Sequence, residues 1–272
     1  MSKSSLLRIV LIVGTIALTA FLYFAPKTKL VTEAPKNGAI DFNYLLEAAK
    51  SKLQRQEVTA LNELEKSVEA KSGNEKATML DSLAYRWDVL QEPAVAAGYY
   101  EQLAQINSSE KSWSDAADRY FSAARMPTDS LMHAWLIGKT ISSYEKVTEI
   151  NPENSDAKIN LAICYTESPQ PMKGIMLLRD VVQKHPENIK AQMNLGFLSI
   201  RSGQYDKAIE RLKKVLELNP AQPEAHYFLG YSFMNKGENT QAIEAFNKYI
   251  ETGKDTQLIS EANVYIRQLT GK

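Results

Sequence analysis

The amino-acid sequence predicts an all-α protein built from a repeated pair of helices. The first observation is that a pattern of glycine, alanine and large apolar residues recurs after 34 residues near the C-terminus. The matched positions are Gly196 and Gly230, Gly203 and Gly237, Ala208 and Ala242, and Leu212 and Phe246. The second observation is that apolar residues recur at helical spacing through most of the chain after residue 41. Such a repeat indicates a solenoid in which neighbouring units share one core.

Each repeated residue type has a physical role in a pair of antiparallel helices. Glycine in the first helix and alanine in the second let the two backbones approach, while Leu212 and Phe246 fill the remaining space. Gly203 and Gly237 supply the turn between the helices, and Asn219-Pro220 ends one unit before the next begins. The period of 34, with Leu-Gly in the first helix and Ala-x-x-x-large in the second, resembles the tetratricopeptide repeat (TPR). The resemblance implies a TPR superhelical solenoid.

The resemblance covers residues 77–256 and predicts five repeats. Their predicted bounds are 77–109, 110–154, 155–188, 189–222 and 223–256. A helical preface over 41–76 and a C-terminal capping helix over 257–272 complete the predicted domain, because the ends of a solenoid need a cover. For the preface, the pattern leaves open a helix pair, one bent helix or a coiled-coil dimer.

Two of the predicted repeats depart from the pattern. The second holds about eleven extra residues around Met126–Asp129, which fit either a longer loop with an extra turn on the second helix or a partner-docking loop. In the third, Pro169-Gln170-Pro171 replaces the glycine turn and Gly174 replaces the alanine. Because proline fixes the backbone, we expect that turn to be rigid.

Residues 1–25 predict a signal-anchor that remains as one transmembrane helix. The segment 6–25 carries no charge except Arg8 and is mostly apolar, and its length is near the short limit of the roughly 17 to 25 residues that a spanning helix needs. A cleaved signal peptide is the alternative, but the apolar run continues past Ala20, the best candidate for a cleavage site. Residues 26–40 are predicted to be a linker.

Charges on the two sides of the predicted anchor do not fix its orientation. Lys3 and Arg8 precede the apolar run, and Lys27, Lys29 and Lys36 follow it, so the positive-inside count is tied. A short tail before the span and a large domain behind it favour export of the domain. The resulting interpretation is a single-pass protein of the inner (cell) membrane with its repeats in the periplasm.

Composition and motifs disfavour several classes of function. Lys+Arg and Asp+Glu number 32 each, which argues against a general nucleic-acid partner. The only cysteine, Cys164, excludes an intrachain disulfide. His133, His185 and His226 have no neighbour at ligand spacing, and the chain has no phosphate-binding glycine loop. We therefore expect no catalytic, cofactor or metal residues, no small-molecule substrate and no enzymatic activity.

The TPR resemblance implies that the first helix of each repeat lines a concave groove, which it faces with the second, fifth, sixth, ninth, twelfth and thirteenth places. In the last three repeats these places hold mostly apolar and aromatic residues. The predicted partner-binding residues are Ile159, Asn160, Ile163, Met193, Asn194, Phe197, Ile200, Tyr227, Tyr231 and Met234. The alternative is that this apolar stripe is buried between helices or under the C-terminal helix.

In the first two repeats the same places are mostly polar and acidic. They hold Asp81, Tyr85, Asp88, Ser114, Asp115, Asp118, Phe121 and Ser122. No fifth place holds a lysine or arginine and no ninth place an asparagine. The lysine and asparagine clamp with which some TPR proteins bind acidic chaperone tails is therefore not expected.

These observations predict a membrane-tethered scaffold that binds partner proteins or peptides in the groove. The arrangement resembles bacterial inner-membrane TPR proteins that support secretion, translocation or complex assembly. The alternative is a cytosol-facing import or substrate receptor, or a chaperone-like holdase.

Overall fold

The computed structural model describes residues 40–271, and the described part of the chain contains thirteen α-helices and no strand. The helices are α1 (Phe42–Lys50), α2 (Arg55–Glu69), α3 (Gly73–Val89), α4 (Pro93–Asn107), α5 (Glu110–Ala124), α6 (Ser130–Ile150), α7 (Ser155–Thr166), α8 (Pro171–Lys184), α9 (Ile189–Arg201), α10 (Tyr205–Leu218), α11 (Pro223–Asn235), α12 (Asn239–Thr252) and α13 (Thr256–Thr270). The chain divides into two units, residues 1–52 and 53–272. Helix α1 belongs to the first unit and α2–α13 to the second.

The second unit is a stack of helix pairs. Each helix from α3 to α12 packs on the helices before and after it, which gives the pairs α3/α4, α5/α6, α7/α8, α9/α10 and α11/α12, followed by α13. The all-α solenoid predicted from the sequence is therefore confirmed. The first pair begins at Gly73, four residues before the predicted bound of 77. Two separate helices, α1 and α2, occupy most of the predicted preface.

Most of the extra length of the second pair lies in its second helix. Helix α6 has 21 residues against 14 in α8, and the loop before it covers only residues 125–129. Asp129 caps α6 by accepting a hydrogen bond from the backbone N–H of Met132 at 2.8 Å. Met126–Asp129 thus form a short loop that ends at the N-cap of α6, and the extra length lies mainly in the helix.

Glycines permit the close approach of paired helices that the repeat pattern predicts. A Cβ added to Gly230 would lie 2.8 Å from the Phe246 ring, and one added to Gly196 would lie 3.3 Å from Leu212. Large side chains of the second helix therefore fill the space that each glycine leaves. Gly237, at the turn, has φ +77°, a conformation that other residues rarely adopt.

Short polar residues and prolines mark where the helices begin. Asn154 and Asn188 accept hydrogen bonds from the backbone N–H groups of Ala157 and Ala191, each at 2.9 Å. Pro171 and Pro223 occupy the first turns of α8 and α11, where the missing N–H costs nothing. The proline-bracketed turn of the third pair therefore ends one helix and starts the next.

Buried tyrosines join neighbouring helices through carboxylates. The Oη of Tyr99 donates to Glu65 at 3.0 Å, that of Tyr120 to Glu101 at 2.7 Å and that of Tyr227 to Glu261 at 2.8 Å. Tyr144 bonds Asp118 and Tyr165 bonds Glu145 in the same way. Burial raises the pKa of all five hydroxyls, and the bonded carboxylates raise it further; for Tyr165 the pKa is about 12.

The predicted transmembrane helix lies outside the described residues. Among residues 40–271, no helix has the length and apolar character needed to cross a membrane. The linker, apart from Ile40, also lies outside them.

Candidate functional site

The candidate site is the face formed by the first helices of the last three pairs, α7, α9 and α11. Equivalent residues on neighbouring first helices are 34 positions apart, so Ile163, Phe197 and Tyr231 form one row. Met193, Ile200 and Met234 lie beside that row. We call the surface formed by these six residues and Asn194 the first-helix surface.

The first-helix surface is apolar and partly open to solvent. Phe197 is 40% exposed, the largest exposure of any aromatic residue on α7–α13. Ile163, Met193, Asn194, Ile200, Tyr231 and Met234 are half-buried. Five of the seven side chains, all of them apolar or aromatic, pack on core clusters while part of each remains accessible, and Phe197 is the most open of the seven.

Two of the ten predicted residues are buried, and the expectation that they face a groove is wrong. Ile159 is 0% exposed and packs in a core cluster with Leu178 and Val181. Tyr227 is 6% exposed; its ring contacts Tyr249 at 5.2 Å and its hydroxyl bonds Glu261 of α13. At these two positions the side chain packs against neighbouring helices, whereas Met193, which holds the same place in the repeat between them, is half-buried.

The predicted asparagines differ in what they can still bind. Asn160 donates from Nδ2 to the Tyr144 Oη at 2.9 Å and accepts from Lys190 Nζ at 2.8 Å. Both ends of its amide are therefore engaged. Asn194 donates from Nδ2 to the backbone oxygen of Lys190 at 2.8 Å, whereas its Oδ1 accepts no hydrogen bond from the described residues. Asn194 retains an acceptor for a ligand.

Two aromatic residues of this face were missing from the sequence-based prediction. Phe228 holds the place of Asn160 and Asn194, and its ring meets the Phe197 ring edge-on at 5.6 Å. Tyr265, on α13, continues the row and contacts the Tyr231 ring at 6.1 Å. Carrying the 34-residue offset through the sixth place and one repeat further would have found both.

The corresponding face of the first two pairs is mostly polar, apart from Tyr85 and Phe121, and several of its polar groups are paired within the protein. Arg119 donates to Asp88 at 3.1 Å and to Asp115 at 3.1 Å, and its guanidinium lies 4.7 Å above the Tyr100 ring. Asp118 accepts the Tyr144 hydroxyl. A cavity of about 580 Å³ opens beside Asp88, Arg119 and Asp118. Arg119 offsets part of the predicted negative charge of this region.

The described residues offer little reactive chemistry. No group of three or more His, Cys, Asp or Glu side chains in residues 40–271 is placed to hold a metal ion. Cys164 is buried, and burial raises its pKa to about 12, so the thiol stays protonated. Burial also lowers the pKa of His226, which favours its neutral form. The chemistry that the first-helix surface supports is non-covalent binding.

Comparisons with known proteins agree with this fold. A family model described as "TPR repeat" matches residues 200–237, and one described as "Tetratricopeptide repeat" matches residues 223–252. A search of curated proteins finds no significant match.

Solved structures with the same fold include two kinds of TPR protein. MamA (residues 41 to the end) from Desulfovibrio magneticus RS-1 has a TM-score of 0.55 and 19% identity, covering 66% of this chain and 97% of that one. YrrB, described as a TPR protein with an unusual peptide-binding site, has a TM-score of 0.52 and 20% identity, covering 74% and 97%. Residues 200–252 are therefore TPR repeats, and the protein has the solenoid fold of TPR proteins.

Proposed function

We propose that the protein is a scaffold whose first-helix surface binds an apolar segment of a partner protein. The observation that carries the proposal is the exposed Phe197 ring within a row of half-buried apolar side chains that repeats every 34 residues. A contiguous apolar surface that is exposed to solvent is unfavourable in water and is typical of sites that bind other proteins.

The residue types on this surface suit a segment of variable sequence. Phe197 and Tyr231 are large, flat anchors that bury much apolar area with little loss of side-chain freedom. Met193 and Met234 are unbranched and adapt their shape to different ligands. Asn194 supports recognition of the main chain, because its free Oδ1 accepts a backbone N–H regardless of the ligand's side chains.

The fold supports the proposal by analogy. YrrB has a peptide-binding site according to its description, and TPR folds are repeat scaffolds whose function depends on the residues at their surfaces. The identity between the two chains is 20%, so the proposal rests on the residues of this chain.

We further propose that residues 6–25 tether the scaffold to the inner membrane, with the repeats on the periplasmic side and supporting an envelope machine. The support is the uncharged run Ile9–Phe24 in the sequence. The tether predicts that the full-length chain stays with membranes after a carbonate wash and keeps its N-terminus. Protease digestion of intact spheroplasts should degrade the repeats; their protection would indicate the cytosolic side.

The binding site is tested by comparing two exposed aromatic positions. A photo-crosslinking amino acid at Phe197 should capture a partner segment, whereas the same group at Tyr85, which is 66% exposed on α3, should not. Phe197→Ala should then weaken binding of the identified segment by ~2 kcal/mol, as expected of an aromatic anchor. Tyr85→Ala should leave it unchanged.

A control on folding is needed for this comparison. Phe197 is the most open residue of the surface, so Phe197→Ala should keep the melting temperature of the wild type. If binding survives in Phe197→Ala, or if both variants lose it equally, the first-helix surface is not the site.

A further inference from the structure

A second surface lies on the other side of the stack, between the second helices α6 and α8. Two adjoining cavities of about 540 and 350 Å³, which share the lining residues Glu145, Tyr165 and Lys173, make up this surface. It follows α6 from Ala134 to Glu149, which is about 22 Å at a rise of about 1.5 Å per residue. We call it the second-helix trough.

The trough has an apolar lining. It is lined by Ile137, Ile141, Leu161, Tyr165, Met176 and Leu177. Met176 is 66% exposed, and Met172, one helical turn earlier on α8, is 61% exposed. These are large exposures for apolar side chains, and Met176 lines the larger cavity, which is typical of a docking surface.

Departures from the repeat pattern flank the trough. On α6, a Cβ added to Gly138 would meet nothing within 4 Å, so this part of the wall is open. On α8, Gly174 lies so close to α7 that a Cβ there would clash with the carbonyl oxygen of Ala162. Gly174 is buried where most repeats have alanine.

The same place one repeat later is closed. Between α8 and α10 the equivalent cavity is about 60 Å³. The equivalent residues, 34 positions on, are Arg179 for Glu145, Ser199 for Tyr165, Lys207 for Lys173 and Arg211 for Leu177. Long basic side chains thus replace a carboxylate and a leucine, and Arg211 donates to Gln192 at 3.2 Å. The cavity between α6 and α8 is therefore larger and more apolar than the one at the next junction.

The charges at the trough are mostly paired, with two exceptions. Lys158 pairs with Asp180 at 2.9 Å, Glu149 with Lys146 at 2.8 Å and Glu167 with Arg125 at 2.9 Å. Among the described residues, Glu145 on α6 has no cationic partner and accepts the Tyr165 hydroxyl. Lys173 on α8 has no carboxylate partner and lies 5.2 Å above the Tyr165 ring. An anion on α6 and a cation on α8 thus both lie against Tyr165 without an ion-pair partner among the described residues.

We propose that the second-helix trough binds an amphipathic helix of a partner protein. The apolar face of that helix lies on Ile141, Met176 and Leu177, which line the cavities and are at least partly exposed. A lysine or arginine on one flank pairs with Glu145, and an aspartate or glutamate on the other flank pairs with Lys173. The two charges on opposite walls fix which flank lies against α6, and the trough holds about 15 helical residues. This site is separate from the first-helix surface.

The test selects ligands for the trough directly. A displayed library of amphipathic helices, with apolar residues at i, i+3, i+4 and i+7 and flanks randomised among Lys, Glu and Gln, is selected on the full-length chain. Counter-selection uses the variant Gly138→Leu, whose side chain fills the open part of the wall. The substitution should not destabilise α6, because leucine is a better helix former than glycine. Enriched helices should carry lysine on one flank and glutamate on the other.

Matched variants then locate the bound helix. Binding should weaken at least about tenfold, equivalent to ~1.4 kcal/mol, in Gly138→Leu, and should persist in Gly138→Ala and in Phe197→Ala. The double variant Glu145→Lys/Lys173→Glu should bind helices more tightly when their lysine and glutamate flanks are interchanged. The proposal is overturned if no selected helix distinguishes Gly138→Leu from the wild type, or if Phe197→Ala abolishes binding. Self-association that Gly138→Leu abolishes would overturn it in favour of a second copy of the chain.

Discussion

The first two helix pairs (α3–α6) and the last two (α9–α12) share one fold but differ in what their first helices present. In the first two pairs, Arg119 joins α5 to α3 through Asp88, and Glu101 accepts both Tyr120 at 2.7 Å and Lys139 at 2.9 Å. In the last two, Phe197 is exposed and Arg201, 5.9 Å from its ring, has no carboxylate partner among the described residues.

This difference separates structural groups from candidate binding groups. A polar side chain whose partners lie within the protein stabilises the stack and has little capacity left for a ligand. An apolar side chain that is exposed to water gains stability only when another surface buries it. Under the proposed function, the paired polar groups of the first half support the stack and the apolar surface of the second half binds the partner.

The largest expected effect is a loss of stability at alkaline pH that begins in the first half. Tyr99, Tyr120 and Tyr144 all bond carboxylates there, whereas Tyr227 does so near the C-terminus. Their pKa values are raised above 10 in the folded protein. Unfolded tyrosines release their protons first, so this stability is complete below pH 10 and is lost as pH rises above it.

All three tryptophans, at positions 87, 113 and 135, lie in the first half and report its unfolding. We expect the red shift of tryptophan emission to come at lower pH than the loss of helical circular dichroism. In Tyr120→Phe this first step should depend less on pH. Simultaneous changes in both signals would show that the two halves do not differ in this respect.

The next largest effect tests close packing in the second half. Gly230→Leu places a side chain where the Phe246 ring lies 2.8 Å from the added Cβ, and should destabilise the protein by ~1–3 kcal/mol in urea melts. Hydrogen exchange should lose protection mainly in α11–α13, because repeats couple to their nearest neighbours.

A glycine in the first half provides the matched control. Gly138, on α6, has nothing within 4 Å of an added Cβ, and Gly138→Ala should stabilise the protein by ~0.5–1 kcal/mol. Equal destabilisation by the two substitutions would mean that helix conformation, and not packing against Phe246, determines the outcome.

The sequence predicted the fold better than the site for a physical reason. The 34-residue offset places whole helices, because a small residue at the place of Gly196 and Gly230, and a large residue that faces it, recur where two helices pack. It does not give the direction of a single side chain. Ile159 and Tyr227 occupy places that face the groove in the family, yet both reach neighbouring helices and are buried.

The second-helix trough was also beyond sequence reasoning, although its flanking departures were visible. Pro169, Pro171 and Gly174 were recognised as exceptions to the repeat. The volume they border depends on the separation of α6 and α8 and on the side chains that fill the space. Leu177 and Arg211 hold equivalent places, but only the arginine closes the gap.

The smallest expected effect on the free energy of unfolding comes from replacing Arg119 in the first half, with Arg201 in the second half as the comparison. Arg119→Gln removes the cation shared by Asp88 and Asp115, whose side chains are 24% and 20% exposed, while that of Arg119 is 29% exposed. Partly exposed pairs contribute little, so we expect a loss of ~0.2–1 kcal/mol, reduced by salt. Arg201→Gln removes no ion pair and should leave the melting temperature unchanged.

A double-mutant cycle with Asp88→Asn should recover most of the Arg119 effect as coupling energy, since the two side chains bond directly. If Arg201→Gln destabilised the chain as much as Arg119→Gln, the ion pairs would not distinguish the supporting half from the binding half.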